Sequence, residues 1–335
     1  VFLRPALASD LASFYGEVEK ERLDIAEKTF WAGGPHAAPD FNYGIIKGGK
    51  DKIATIRQLI VERRFAEADS LSRIYMTGDY TNYGYFSMVG NLWIDFGKNK
   101  QPVQNYLRGI DLSTSRGFVE YTQGGVQFNR EYFCSYPDKL MALHFTADKA
   151  GKISFSLSHS LVYPPEEVIE SENGLTFNGI IRKNGLSYTI RIKIVQQGGS
   201  VKVAHQRIVV EKANEATVFY AVDTEYAPVY PLYKGENPQQ NTGKVITKAI
   251  TKGYETVKNT HISDYQTLYN RVRFTLTGDT ASEQLPTNVR VKQLQEGFTD
   301  DASLKVLGFN LSRYLLISAS RPGTLPSTLQ GVWNT

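Results

Sequence analysis

Three side chains near the C-terminus of the sequence are of types that bind a sugar without titrating. Gln330, Trp333 and Asn334 lie in the stretch 320–334, which follows an apolar segment with helical spacing. Amide side chains both donate and accept hydrogen bonds, and a Trp ring offers a flat apolar face together with an N–H donor. The residue types fit a sugar-binding loop and a packed loop between helices equally well, so both interpretations stay open.

Spacing along the sequence assigns no catalytic residue. The chain contains no glycine-rich phosphate loop, no helical histidine pair with a glutamate and no nucleophile elbow. Glycoside hydrolysis needs two carboxyl groups that flank one bond, and no such pair can be assigned. The five histidines are scattered, and a metal site needs several converging ligands. We therefore assign no metal ligand and expect His144 and His159, in predicted strands, to be structural.

Composition and charge exclude several classes of function. The 38 basic and 34 acidic residues are interspersed and give a net charge of +4. Because no basic block could follow a phosphate backbone, we expect no nucleic-acid partner. No apolar run reaches the length of a membrane span. The single cysteine, Cys134, excludes an intrachain disulfide and a multi-cysteine metal site.

Apolar and polar residues alternate with a period of two from about residue 91 to residue 226. Ile153, Phe155 and Leu157, for example, alternate with serines, as in a strand that buries one face and exposes the other. Asn-Gly and Gly-Gly pairs separate such segments and favour hairpin turns. Many strands without long helices between them predict an antiparallel β-sandwich. The first 48 residues show no clear period, so we expect them to be irregular.

Helical spacing occurs in two parts of the chain. Apolar residues between positions 51 and 76 predict a helical hairpin inserted into the sandwich domain. Helical spacing returns after residue 241, and the last helix is predicted to begin with Thr299 as N-cap, with Asp300 and Asp301 favourably placed near the positive end of its dipole. The apolar residues of this helix extend beyond one stripe, so we expect further helices to cover it.

The C-terminal stretch also resembles a known family. An Arg-Tyr-Leu-Leu helix followed by Ser-Arg-Pro-Gly and then Leu-Gln-Gly-Val-Trp-Asn is similar to glycoside hydrolase family 95, whose known members are chiefly α-L-fucosidases, with some α-L-galactosidases. The resemblance extends from Glu17 to Asn334. Further segments that match in the family's order are Glu27–Pro35, Gly90–Phe96, Tyr106–Leu112, Arg130–Asp138, His261–Gln266 and Leu285–Arg290.

The resemblance implies a mainly β fold with a particular domain order. A large antiparallel β-supersandwich should be followed by a helical linker and by the first helix of an (α/α)6 barrel, which we expect to be truncated in this chain. The expected bounds are 1–240 for the sandwich domain with its helical insertion near 51–76, 241–298 for the linker and 299–335 for the start of the catalytic barrel.

Family membership would also imply a reaction. Family members invert the anomeric centre: a glutamic acid protonates the glycosidic oxygen, and asparagines helped by an aspartate position the attacking water. Those residues are expected beyond Thr335. The chain is therefore predicted to be part of an exo-glycosidase that removes terminal α-L-fucosyl or α-L-galactosyl residues, and to be inactive alone.

Further expectations concern ligands and location. By the resemblance, Gln330, Trp333 and Asn334 would bind the substrate, a glycan or oligosaccharide. No metal or organic cofactor is expected, because proton transfer and a positioned water suffice for this chemistry. The resemblance suggests a periplasmic or secreted location and says nothing of the oligomeric state.

Three departures from the family pattern count against activity of this chain. Residues 6–13 read Ala-Leu-Ala-Ser-Asp-Leu-Ala-Ser where the family has a Leu-Pro-x-Gly-Asn-Gly stretch. Ala26 stands where the family has Asn, and Asn91 stands where it has Asp. The main alternative is a non-catalytic carbohydrate-binding or scaffolding β-sandwich protein. A glycoside phosphorylase is a further alternative, and it would need a phosphate site for which the sequence shows no cluster.

Overall fold

The computed structural model describes residues 3–4, 17–32, 44–78, 84–182, 184–230, 232–278, 281–297 and 300–324. Within these ranges the chain is mainly β, as predicted, with two large antiparallel sheets followed by helices. The strands are β1 (Leu3–Arg4), β2 (Lys20–Ala32), β3 (Tyr85–Asp95), β4 (Val103–Asp111), β5 (Arg116–Gln123), β6 (Val126–Ser135), β7 (Leu140–Ala147), β8 (Ile153–Leu161), β9 (Glu167–Ser171), β10 (Gly174–Ile181), β11 (Leu186–Gln197), β12 (Ser200–Ala204), β13 (Arg207–Ala213) and β14 (Glu215–Thr224). The α-helices are α1 (Gly49–Val61), α2 (Phe65–Tyr75), α3 (Pro238–Lys252), α4 (Tyr254–Tyr269), α5 (Thr287–Gln295) and α6 (Ala302–Ala319).

The two sheets place β14 among the most buried strands. One sheet has the order β1-β2-β3-β8-β13-β12 and the other β4-β5-β6-β7-β14-β11-β10-β9. In the second sheet β14 pairs antiparallel with β11 and with β7, and its residues from Ala216 to Thr224 are all buried. A strand covered on both faces needs a nearly continuous apolar run, so the polar pair Asp223 and Thr224 at its end stands out.

Strand β2 shows that the expectation of an irregular first 48 residues was wrong. Lys20–Ala32 forms 13 residues of regular strand, and its buried residues include Glu21, Asp24, Glu27 and Lys28. Because charged side chains occupy buried positions, the strand has neither the alternation of a half-exposed strand nor the apolar run of a buried one.

A buried network of charges explains how β2 holds Glu21 inside the protein. Glu21 is 1% exposed, and its Oε1 atom accepts hydrogen bonds from Arg130 Nη1 at 2.9 Å, Arg108 Nη2 at 2.5 Å and Tyr132 Oη at 3.3 Å. The Arg130 guanidinium lies 3.5 Å from the centre of the Phe96 ring. Pairing and hydrogen bonds of this kind are what a buried charge requires.

Helices α1 and α2 form a hairpin in the smaller of two compact units, which consists of Trp31–Ser87 and Ile180–Leu186. Ile56 and Leu59 of α1 pack on Ala68 of α2. A Cβ atom at Gly49 would lie 2.8 Å from the Tyr75 carbonyl oxygen, so only glycine fits where the two helices approach there.

The larger unit contains α4, whose buried side is bonded to the eight-stranded sheet. His261 Nε2 lies 3.0 Å from the Thr114 carbonyl oxygen, and Tyr265 Oη donates to the Leu112 carbonyl oxygen at 2.9 Å. The His144 ring stacks on Tyr254 with 3.9 Å between the ring centres. These contacts fix the helix against the sheet.

The N-cap of helix α6 is Asp301 and not the predicted Thr299, which lies outside the described ranges. The Asp301 carboxylate accepts a hydrogen bond from Leu304 N at 2.9 Å, as an N-cap side chain does. Both of its oxygens also accept from Arg290 of α5, at 2.8 and 2.9 Å. This ion pair favours Asp301 over Thr299 as the cap.

Helix α6 is covered on one side by the part of the chain that the structure describes. Tyr314 is buried against Tyr265 of α4, whereas Leu316 is 64% and Phe309 38% exposed. Among the described helices, none combines the length and the apolar character that a membrane span requires.

Candidate functional site

The predicted substrate-binding residues Gln330, Trp333 and Asn334 lie outside the described residues, so their role stays a prediction. The structure does place the segment that leads to them. Residues Arg321–Thr324 follow the end of α6 directly, and we call them the anchor segment.

Arg321 fixes the anchor segment to two other elements. It donates a hydrogen bond from Nη2 to the Asp264 carboxylate of α4, and its guanidinium lies 4.4 Å from the centre of the Tyr136 ring. The Tyr136 hydroxyl donates to the Pro322 carbonyl oxygen at 2.7 Å. Because Tyr136 belongs to the turn between β6 and β7, the anchor segment is held by α4 and by the eight-stranded sheet together.

Strand β2 provides a third fixing point. Lys28 Nζ donates to Thr324 Oγ1 at 3.2 Å, and the same hydroxyl donates to the Arg321 carbonyl oxygen at 2.8 Å, closing a turn. Gly323 within this turn has a φ of +78°, which favours glycine. Two family-like segments, Glu27–Pro35 and the C-terminal stretch, therefore meet although 296 residues separate the bonded pair.

Glu27, next to Lys28, is a carboxyl group without exposed surface. Its Oε2 atom accepts hydrogen bonds from Thr29 N at 2.8 Å and from Thr29 Oγ1, while Oε1 has no hydrogen-bond partner among the described residues. Burial raises the pKa of Glu27 to about 7, and the Asp223 carboxyl contributes in the same direction against the lowering effect of the Thr29 hydroxyl. Such a group can carry a proton near neutral pH, but its enclosure keeps substrates away from it.

A hydrogen-bonded chain leads from Glu27 to an open cavity. Thr29 Oγ1 lies 2.5 Å from Thr224 Oγ1, and Thr224 lines a cavity of about 400 Å³ together with Asp223 and Asn241. Asn241 Nδ2 donates to Asp223 Oδ2 at 3.0 Å. Burial raises the pKa of the Asp223 carboxyl, and the Asn241 hydrogen bond opposes this rise.

The strand histidines are structural, as predicted. His144 Nδ1 lies 2.8 Å from Thr217 Oγ1, and His159 Nε2 lies 2.8 Å from Tyr220 Oη. Burial lowers the pKa of each imidazole to about 4, so both rings are neutral at pH 7. Within the described ranges, no group of three or more His, Cys, Asp or Glu side chains is arranged to hold a metal ion.

Sequence reasoning missed the residues that hold the anchor segment, namely Lys28, Tyr136 and Asp264. Each lies in a segment that had been matched to the family: Glu27–Pro35, Arg130–Asp138 and His261–Gln266 respectively. The signal was present in these motifs, but the order of motifs along a chain does not say which of them meet.

Two family models match consecutive parts of the chain. Residues 12–228 match the model described as glycosyl hydrolase family 65, N-terminal domain. Residues 253–335 match the glycosyl hydrolase family 95 catalytic domain. The second match begins just before α4 and includes the anchor segment.

Curated relatives are similar over nearly the whole chain. A probable alpha-fucosidase A from Aspergillus niger is 29% identical over 95% of this chain and 41% of its own length. Alpha-L-fucosidase 2 from Arabidopsis thaliana is 30% identical over 96% of this chain and 41% of its own length. The chain thus spans 41% of the length of each of these relatives.

Among solved structures, a putative kojibiose phosphorylase from human microbiome aligns with a TM-score of 0.47 at 9% identity, over 70% of this chain and 32% of that chain. The assignment rests on the family models and the curated relatives. The family 65 N-terminal model alone covers more than half of the chain. The chain belongs to the family described as glycosyl hydrolase family 65, N-terminal domain, and its residues 253–335 match the catalytic domain of glycosyl hydrolase family 95, the family that its motifs resemble.

Proposed function

We propose that this chain supplies the sandwich, the linker and the first barrel helix of an inverting exo-glycosidase that removes terminal α-L-fucosyl, or α-L-galactosyl, residues from glycans. The observation that carries the proposal is the match of residues 253–335 to the family 95 catalytic domain. The names of the curated relatives, alpha-fucosidases, support the choice of sugar.

The anchor segment supports a role for the residues that follow it. Arg321, Pro322 and Thr324 are each bonded to a different element of the larger unit, so the chain is held at a fixed point six residues before Gln330. Binding groups need such support to hold their geometry. We propose that Gln330, Trp333 and Asn334 form one wall of the sugar pocket.

The catalytic groups are proposed to lie in barrel helices outside this chain. An inverting reaction needs a carboxylic acid at the leaving oxygen and a base that activates water on the opposite face of the sugar. Glu27 has a raised pKa but no exposed surface, so we assign it neither role. The exposed Leu316 and Phe309 of α6 fit a helix whose outer side is covered by such barrel helices.

The 335-residue chain is expected to release no 4-nitrophenol from 4-nitrophenyl α-L-fucoside above the buffer blank, because it lacks the proposed acid and base. Absorbance of the released phenolate measures this, with an active α-L-fucosidase as positive control. Release by the purified chain, lost on heat denaturation, would contradict the predicted inactivity. Repeating the assay with inorganic phosphate tests the phosphorylase alternative.

A longer product of the same gene distinguishes the glycosidase proposal from the non-catalytic carbohydrate-binding alternative. If the reading frame continues into barrel sequence, that product is expected to hydrolyse the aryl fucoside. A stop codon directly after Thr335 would favour the non-catalytic carbohydrate-binding alternative.

In that longer product, Asn334→Ala is expected to lower kcat/KM for the aryl fucoside by about tenfold or more, the usual effect of losing one hydrogen bond to a bound ligand. Ser327→Ala, in the same stretch, is the matched control and is expected to change kcat/KM less than about twofold. Unchanged kinetics for Asn334→Ala would remove this residue from the site.

A further inference from the structure

The cavity at the end of β14 has the size and walls of a small-ligand site. Its volume is about 400 Å³, within the range of roughly 300–1,000 Å³ that ligand pockets occupy. Its walls come from β14, from the loop after β14, from α3 and from the turn between β6 and β7. All of these elements belong to the larger compact unit.

The charges around the cavity cancel. Lys139 and Lys244 contribute two positive charges, and Asp223 and Glu236 contribute two formal negative charges. An anion such as phosphate would meet Asp223, and a metal cation would meet the lysines. The balance therefore favours an uncharged polar ligand.

The buried end of the cavity offers both acceptors and donors. Asp223 Oδ1 accepts from Thr224 N at 2.9 Å and Oδ2 accepts from Asn241 Nδ2 at 3.0 Å. A carboxylate oxygen has two lone pairs and an amide nitrogen two hydrogens, so both side chains keep capacity for a ligand. Neighbouring hydroxyl groups on one ring match this pair, since a hydroxyl donates to a carboxylate and accepts from an amide.

Tyr226 adds an aromatic surface to the same cavity. Its ring lies nearly parallel to that of Tyr233, with 6.5 Å between the ring centres and 8° between the planes. An aromatic face binds the C–H side of a sugar ring through apolar contact. The cavity thus combines groups that can bind hydroxyls with an aromatic side chain.

The polar groups are held in place before any ligand arrives. Asp223 is 7% exposed and is paired with Thr189 of β11, and Asn241 lies near the start of α3, which Asn237 caps. Groups that are ordered in advance lose little freedom on binding.

We propose that this cavity binds one uncharged saccharide unit of hexose or deoxyhexose size through Asp223, Asn241 and Tyr226, a set that includes none of the predicted substrate-binding residues Gln330, Trp333 and Asn334. The site goes beyond the proposed hydrolysis and does not depend on it, because binding can occur without turnover.

Saturation-transfer NMR and calorimetric titration of the 335-residue chain test the proposal, with L-fucose, D-galactose, D-glucose and inorganic phosphate as separate probes. At least one monosaccharide is expected to bind saturably, and phosphate is not. Asn241→Leu and Tyr226→Ala are each expected to weaken sugar binding by about tenfold or more.

Each variant has a matched control outside the cavity. Gln240→Leu changes an exposed neighbour of Asn241 on the same helix, and Tyr230→Ala changes a tyrosine of the same loop that is 81% exposed. Both controls are expected to keep the wild-type affinity within about twofold. Circular dichroism melting checks that the variants fold, and if one of the cavity variants does not, the other decides.

Three outcomes would overturn the proposal. These are no saturable binding of any monosaccharide, sugar binding that both cavity variants leave unchanged, and binding of phosphate in preference to sugars. A failure of the longer gene product to hydrolyse fucosides would refute the proposed function while leaving this site intact.

Discussion

Replacing Glu21 by alanine is expected to lower the free energy of unfolding by about 3–5 kcal/mol, because it leaves buried positive charge without its partner. Arg130 is 2% exposed, and its guanidinium bonds to Glu21 Oε1, as does that of Arg108. Removing the carboxylate leaves Arg130 unable to reach water in the native state. Denaturation in urea at neutral pH, followed by circular dichroism, measures the loss.

An exposed ion pair provides the control for this prediction. Glu211 of β13 lies 3.6 Å from Lys202 of β12, and both side chains are more than half exposed. Glu211→Ala is expected to cost less than about 1 kcal/mol, since water already screens this pair. A Glu21→Ala variant no less stable than Glu211→Ala would show that the buried network contributes little to stability.

The sequence predicted those parts of the fold in which the residue type alone indicates whether a position is buried or exposed. Ile153, Phe155 and Leu157 are buried, and Ser154 between them is exposed. Alternation of this kind needs no knowledge of the partner strand. The mainly β fold with following helices was therefore predicted correctly, while the proposed domain bounds stay a prediction.

The parts that the sequence did not predict depend on contacts between distant residues. Glu21 and Arg130 are 109 positions apart, and nothing local marks either residue as buried. Charged residues normally indicate a solvated surface, so nothing in the sequence of β2 opposed the expectation that the first 48 residues are irregular. The tertiary structure shows that Glu21 of β2 and Arg130 of β6 form an ion pair, which the sequence of neither strand indicates.

The candidate site also has parts that the sequence predicted and parts that depend on contacts between distant residues. Motifs matched one by one identified the segments around Lys28, Tyr136 and Asp264, but not that all three segments contact residues 321–324. The cavity beside Asp223 was not predicted from the sequence, although all of its lining residues except Lys139 lie within residues 221–245. Spacing along the chain does not show where a loop encloses a space between a strand and the next helix. For Gln330, Trp333 and Asn334, the sequence remains the sole basis of the assignment.

Glu27→Gln is expected to change how stability depends on pH, with an effect on the order of 3 kcal/mol at about pH 8. Burial raises the pKa of Glu27 from 4.5 to about 7. The unfolded chain therefore loses this proton at lower pH than the native protein does. The contribution of Glu27 to stability is complete below about pH 4.5 and is lost as the pH rises to about 7.

Glutamine keeps the acceptor for Thr29 but cannot ionise, so the variant should escape this loss. The difference in unfolding free energy between variant and wild type is expected to be small at about pH 4.5 and to grow in favour of the variant up to about pH 8. Titrating groups that do not interact with Glu27 are common to both proteins and cancel in the difference, whereas Asp223, whose carboxyl raises the pKa of Glu27, contributes to it. Urea denaturation at several pH values measures it.

For Glu225→Gln, the difference in unfolding free energy between variant and wild type should change with pH in the opposite direction. Burial pushes the pKa of Glu225 upwards, but the hydrogen bond from Ser187 N and the neighbouring Lys234 outweigh burial and lower it below its usual value. Its stabilising contribution is therefore present above the unfolded pKa and is lost as the pH falls, so this variant should be less stable than wild type at about pH 8. If Glu27→Gln and Glu225→Gln changed stability with the same sign across the pH range, Glu27 would not be the protonated, enclosed carboxyl that its surroundings imply. The polar chain from Thr29 to the cavity would then begin at an ordinary ionised glutamate.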